Sequence, residues 1–272
     1  MAATLGYSRQ YAYKLPKREA AQRHRQQRVK ALVDQQRKVL PKVGTRKLHH
    51  LIAKELQCTG LKMGRDGLFS LLRHYGLLIK PRRRYVQTTN SKHWLHKWPN
   101  LVKDKAVQGP DEVWVSDITY LRTKEGTMYL NMVTDAFSRR IVGYAVAENM
   151  ETNSMIKALQ MALAQRRNPQ KPTIHHSDRG VQYCCKEYVA MSSTNNVLLS
   201  MTQNGDPYEN ALAERMNRTI KEEFGMDRTL NSKEQLRHLL SESIALYNSK
   251  RPHLALKMKT PDQVHKTKIP AT

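Results

Sequence analysis

The sequence predicts an α/β protein: a mixed five-stranded sheet with flanking helices, preceded by a small all-α helix-turn-helix module. Three observations carry that expectation. After Gly109, three strand-like runs follow one another and two more alternate with helix-like runs, the order expected of a mixed sheet. Within residues 44–79, two short amphipathic patterns are joined by "CTGLK", as in a helical hairpin. The charge is also lopsided, with 25 Lys and Arg against 5 Asp and Glu in residues 1–108, but 22 against 18 in residues 109–272.

A formal net charge of +24 far exceeds what solubility requires, and such an excess usually meets a polyanion. Nucleic acid is the expected partner. With 272 residues the chain has room for more than one domain. The expected division is a basic helical segment over 1–40, the helix-turn-helix module over 41–85, a linker over 86–108 and the α/β core with a C-terminal helix over 109–266. No run of about 18 apolar residues is present, and the opening "MAATLGYSRQYAYKLPKRE" lacks the apolar centre of a signal peptide. The expectation is a cytoplasmic, nucleoid-associated protein with no membrane partner. Cys58, Cys184 and Cys185 have no CxxC spacing and fit a reducing compartment.

In residues 14–42, rich in Lys, Arg and Gln, Val29, Leu32, Val33 and Val39 predict a basic helix with a narrow buried stripe. In "GTRKLHHLIAKELQ", Leu48, Leu51, Ile52 and Leu56 fall at helical spacing, with Thr45 the expected N-cap and Gly60 just beyond the end. "MGRDGLFSLLRHYG" repeats the pattern through Leu68, Leu71, Leu72 and Tyr75, and Gly76 is the expected left-handed C-cap. The second helix is expected to present Arg65, Phe69, Ser70 and Arg73 outward, with Arg65 and Arg73 as DNA contacts, and "KPRRRY" adds Arg82, Arg83 and Arg84 as phosphate contacts. From Val86 to Pro110 the pattern dissolves. Its "HWLH" has no cysteine pair at zinc-finger spacing, which argues against zinc.

In the α/β part, "EVWVSDITYL", "MYLNMVTDAF" and "RRIVGYAVAE" read as strands and "NSMIKALQMALAQ" as a helix. "PTIHHSD" is a fourth strand, "KEYVAMSSTN" a helix, "VLLSM" a fifth strand and "PYENALAERMNRTIKEEF" a long helix. Asp117 and Asp178 are expected near the carboxyl ends of the first and fourth strands, where α/β sheets present functional groups. If those strands are neighbours, the two carboxylates converge. On the long helix, Leu212, Met216, Ile220 and Phe224 form a core stripe, and Glu214 lies about 200° round from Leu212. Asn210, Asn217, Arg218 and Lys221 share its face, and Asn210 and Arg218 are expected DNA contacts. Glu214 is therefore the preferred third acid, with Lys221 placed to hold a DNA phosphate.

Singly, an Asp at a strand end is usually a turn or cap residue and a helical Glu is usually only solvated. Asp135, at an expected hairpin turn, is read as structural. His175 and His176 alternate across their strand and cannot both flank one metal. His176 shares a face with Asp178 but reads best as a packed or hydrogen-bonded histidine. A site made of carboxylates suits Mg²⁺ or Mn²⁺ over Zn²⁺, and a pair of ions about 3.5–4 Å apart can serve one scissile phosphate.

Together, "WVSDITY", "HSDRGVQY" and "NALAERMNRTIKEE", with 35 residues between the last two acids, resemble the DDE transposase and retroviral-integrase superfamily. Further runs, "PNLV", "DAFSRRIVGYAV", "NGDPYENA" and "LYNSKRPHLALKMKTP", resemble insertion-sequence transposases encoded by the second of two overlapping reading frames. Ser116 and Glu209 stand where that group commonly has Thr and Asp. The resemblance implies a ribonuclease H-like fold for the core and Asp117, Asp178 and Glu214 as catalytic metal ligands. It also implies Lys221, seven residues past Glu214, as a DNA contact.

The activity implied is hydrolysis at the element's ends, followed by attack of the freed 3′-hydroxyl on another phosphodiester. Implied partners are the terminal inverted repeats, target DNA, further copies of the chain and an upstream-frame protein, often joined by frameshift. A ribonuclease H-like nuclease without strand transfer, or a DNA-binding repressor with inert acids, are the alternatives. No GxxxxGK[ST] phosphate loop is present, so no nucleotide cofactor is expected.

Overall fold

The computed structural model describes residues 9–79, 98–203 and 210–267. The chain divides into two compact units, Met1–Pro81 and Arg82–Thr272. Arg82, Arg83, Arg84, the "HWLH" run and Glu209 lie outside the described residues.

The first unit is helical: α1 (Arg9–Val39), α2 (Thr45–Leu51), α3 (Ala53–Cys58) and α4 (Arg65–His74). On α1 the buried stripe is shorter than its apolar spacing suggests, because Val29 and Val33 are buried while Val39 is exposed and Leu40 takes the inward position. The single helix expected after residue 44 is two, since Ile52 breaks the α-helical pattern yet stays buried with Leu48 and Leu56. Thr45 is not the N-cap. Gly44 holds that place in extended backbone, and Thr45 is the first helical residue, itself buried. The C-terminal glycines behave as their position demands. Gly60 and Gly76 take φ of +65° and +64°, and Leu61 and Leu77 donate back to the Leu56 and Leu72 carbonyls. These are Schellman closures, open to glycine because only it enters that region without a Cβ penalty.

The second unit is built on a sheet of β1 (Val113–Thr123), β2 (Gly126–Asp135), β3 (Ile141–Ala147), β4 (Thr173–Ser177) and β5 (Val197–Met201), in the order β3-β2-β1-β4-β5. The first three strands pair antiparallel, whereas β4 and β5 join in parallel. Helices α5 (Thr152–Gln165) and α6 (Lys186–Thr194) cover one face, burying Trp114, Ile118, Val142, Leu159, Tyr183, Tyr188 and Met201 together. Gly143 is what lets α5 approach β3: a Cβ there would collide with the Ala158 carbonyl and sit 3.0 Å from the Ala162 nitrogen.

Alternation puts Val113 and Val115 on the other face, against Ala213 and Leu212 of α7 (Ala211–Glu223). Helices α8 (Lys233–Lys250) and α9 (Pro261–His265) complete the unit. Among the described residues, no helix is long and apolar enough to cross a membrane.

Candidate active site

Asp117 is not at the end of its strand. It is the fifth of the eleven residues of β1, which continues beside β2 to Thr123. Its neighbour β4 is the strand that stops: the parallel register runs Val113 with Ile174 to Val115 with His176, and two residues further Asp117 stands level with Asp178. Asp117 is on the α7 face, since it continues the alternation of Val113 and Val115 and takes the Asn217 amide, and Asp178 follows directly on the end of β4. The end of a short strand beside a long one thus opens the space that the acids occupy.

The Asp117 carboxylate accepts from its own Ile118 N–H at 2.9 Å and from the Asn217 amide at 2.8 Å. Those two donors do not offset its surroundings. Burial, then the charge of Asp178, and more weakly that of Glu214, push it up from 3.8 to about 7. Asp178 closes the turn that follows, accepting from Gly180 N–H at 3.1 Å, while Arg179 holds that turn to β5 through the Thr202 carbonyl at 2.7 Å. Glu214 is exposed in the first turn of α7.

Along α7, the inward face is Ala213, Met216, Asn217 and Ile220. Asn217, expected to share the outward face of Glu214, is instead buried on the inward face, with its amide on Asp117. Lys221 donates to the Thr119 hydroxyl at 2.6 Å and lies 4.5 Å from the Tyr120 ring centroid. Burial lowers its pKa, partly offset by the attraction of Asp117. Arg218 is exposed on the same helix. Asn210, expected to face DNA, is instead 5% exposed and spends its amide on the Ser116 carbonyl, anchoring the start of α7 to β1 beside Asp117.

The histidines separate as strand alternation requires. The His176 Nδ1 sits 2.9 Å from the Ser200 hydroxyl. On the α6 side, His175 Nε2 meets the Ser116 hydroxyl at 2.7 Å and Tyr188 at 3.3 Å. Burial drives His175 down to about 3, so it is neutral. Neither approaches metal-ligand geometry with its neighbour. In the helical unit, Arg65 is exposed but paired to Asp66 at 2.7 Å through Nε, and Arg73 is exposed in the last turn of α4. Phe69 is half-buried, not outward.

The donor set at Asp117 and Asp178 fits a hard divalent cation: it offers oxygen ligands only, and burial and the neighbouring charge of Asp178 hold the Asp117 carboxyl above its ordinary range. The three acids do not close to mutual ligand distance. Among the described residues, only Asp111, Asp135 and His265 form a group of three whose ligand atoms all lie within 4.8 Å of one another. That second group is saturated with donors. Asp135 accepts from Asp111 N–H, Ser138 N–H and the Ser138 hydroxyl at 2.8, 2.7 and 2.6 Å. Asp111 accepts from the Trp114 indole at 3.1 Å and the Arg167 N–H at 3.0 Å.

The Integrase core domain family matches residues 107–207, and a second Integrase core domain family matches residues 195–261. The chain is 38% identical over 215 residues to the "Insertion element IS600 uncharacterized 31 kDa protein" of Shigella sonnei, covering 78% of this chain and 77% of that one. It is 32% identical over 218 residues to the transposase for insertion sequence element IS904 of Lactococcus lactis, covering 79% and 85%. Among solved structures, a chain of the simian T-cell lymphotropic virus intasome in complex with PP2A regulatory subunit B56 gamma superposes with a TM-score of 0.52. Identity there is 17%, over 84% of this chain and 77% of that one, a likeness of fold.

Proposed function

The chain belongs to the insertion-sequence transposases with an integrase core domain, and from that membership we propose that Asp117, Asp178 and Glu214 are its catalytic carboxylates. Membership makes it a polynucleotidyl transferase of the DDE type, in a superfamily whose core domains use divalent metals. The finer reading is two Mg²⁺ or Mn²⁺ ions, held by Asp117 and Asp178 from the sheet and by Glu214 from α7. What supports it is the nearness of Asp117 to Asp178 at the β4 end, where the Asp117 carboxyl is held near 7 by burial and like charge.

Bound ions would supply the positive charge that activates an attacking oxygen and stabilises the leaving one. The chain's own residues do the rest. Asn217 orients the Asp117 carboxylate from α7, so that one oxygen is fixed toward the helix. Lys221, steadied by Thr119 and the Tyr120 ring, carries its charge beside Asp117, where a backbone phosphate is the natural partner. Water serves as the first nucleophile at an element end, and the freed 3′-hydroxyl as the second.

Arg218 extends the phosphate contact along α7. In the helical unit, Arg73 and Arg65 are proposed to contact bases, Arg65 only after leaving Asp66. Arg82, Arg83 and Arg84 are proposed to neutralise backbone phosphates. The partners proposed are the terminal repeats, target DNA, further copies of the chain and an upstream-frame protein. The test is Asp178→Asn with a pre-cleaved element end. DNA binding persists while cleavage and joining vanish; joined product at the wild-type rate in Mg²⁺ would sink the assignment, and hydrolysis by the wild type without joining would favour a plain nuclease.

A further inference from the structure

The "YNSKRPH" run, Tyr247 to His253, lies at the end of α8 and shares no element with the three acids. We propose that it is a positioning lock, which sets the rotation and height of α7 on the sheet and so carries Glu214 to its place opposite Asp117. The proposal rests on the reading of Glu214 as the third acid.

The run grips two things at once. Asn248 fastens α8 to the edge strand β3: its side chain accepts from Ile141 N–H and donates to the Ile141 carbonyl, both at 3.0 Å. From that fixed point, two neighbours reach α7. The Tyr247 hydroxyl, on a fully buried ring, lies 3.2 Å from the Met216 sulfur and donates to the Arg139 carbonyl at 3.0 Å. Arg251, 4% exposed, forks onto both carboxylate oxygens of Glu223, the last residue of α7, at 2.7 and 2.6 Å.

The fork is itself braced. Arg251 donates its remaining guanidinium nitrogen to His253 Nε2 at 2.8 Å and lies 5.4 Å over the Tyr247 ring, while the His253 ring meets Tyr247 edge-on at 5.2 Å. Arginine has no acceptor, so His253 Nε2 is the accepting atom of that contact. A buried ion pair adds little net stability over an apolar pair, because desolvation offsets its attraction, but a bidentate fork fixes direction.

Direction is what α7 needs. A helix lying on a sheet face has apolar contacts that tolerate sliding, and each residue of slip turns a side chain by about 100°. Asn210 pins the N-terminal end of α7 to Ser116. Met216 and Glu223 pin its middle and its far end through this run. With three attachments, Glu214 and Asn217 have one rotation available, the one in which Asn217 reaches Asp117.

The experiment uses the full chain with pre-cleaved element-end DNA and compares Tyr247→Phe, Arg251→Lys and Glu214→Gln. Tyr247→Phe keeps the ring and removes only the hydroxyl, so it carries the test even if Arg251→Lys fails to fold. In folded protein, both lock variants lower the kcat of joining at least about tenfold. They also raise the Mg²⁺ concentration for half-maximal rate about tenfold, with the Kd for element-end DNA unchanged. Folded lock variants with the wild-type kcat and Mg²⁺ dependence would overturn the proposal, as would a loss that tracks only the unfolded fraction. Glu214→Gln separates the two ideas. If it abolishes joining while the lock variants do not, the lock alone fails; if it joins normally, the third-acid reading falls and the lock falls with it.

Discussion

Two acidic groups in the catalytic unit look alike in composition and behave oppositely. Asp111, Asp135 and His265 crowd within 4.8 Å of one another, yet each carboxylate is met by N–H donors, and Asp135 by the Ser138 hydroxyl as well. Asp117 has the looser group, with Asp178 and Glu214 as its charged neighbours, and two donors that do not balance them. Proximity alone therefore does not pick out the group proposed to hold the cation. The first group is finished by the protein and holds a turn; the second is left electrostatically unfinished, which is what a site for a cation and a phosphate requires.

The largest effect expected from that contrast is chemical. Asp178→Asn should reduce cleavage and joining by at least roughly a thousandfold, by analogy with loss of a dominant electrostatic group at a reacting centre. Asp135→Asn should leave the rate per folded molecule near wild type. A steady-state assay normalised to folded protein checks both, and a thousandfold loss in Asp135→Asn would erase the distinction.

Next comes stability, in the reverse order. Asp135 is 0% exposed, and Asp135→Ala strands buried donors, so it should cost roughly 3 kcal/mol in denaturant unfolding. Asp117→Asn should instead stabilise the metal-free protein in alkaline buffer. The Asp117 pKa rises from 3.8 to about 7 on folding, so the stability this group contributes is complete below pH 3.8 and is lost as pH rises through about 7. Metal-free melting curves should show Asp117→Asn above wild type by several degrees at pH 8, with the gap closing toward pH 4. Mg²⁺ should raise the wild type and not the variant. Equal curves at every pH would mean that the site is not electrostatically strained.

A smaller effect belongs to His175, which is buried on the sheet face opposite the acids and neutral, with its pKa near 3. Its folded pKa is depressed, so the stability it contributes is present above 6.5 and is lost as pH falls toward 3. His175→Gln should flatten the acid limb of the stability profile without shifting the pH dependence of joining near neutrality. A shift there would place His175 in the chemistry.

Much of the fold is legible in the order of the amino acids. Period-two alternation marks the strands because a half-buried sheet demands it, and period 3.6 on α7 singles out the face of Glu214 because a helix on a sheet must hide one stripe. Gly60 and Gly76 mark helix ends for the same local reason: only glycine takes a left-handed φ without cost. Thr45 misleads, because a helix start offers several residues able to cap and the local sequence does not rank Gly44 above Thr45. The "YNSKRPH" run is visible as a pattern and mute as to purpose.

Local sequence therefore specifies whatever is set within one turn or one strand: which residues point inward and where helices stop. Relations across the chain come only from long-range packing. It sets Asp117 in the middle of β1, level with the end of β4, buries Asn210, aims Asn217 at Asp117 and closes Arg251 on Glu223. Local pattern reports the face a side chain takes, whereas its partner depends on strand register and helix docking. Those are settled by contacts between residues far apart in sequence, each worth little until all form together.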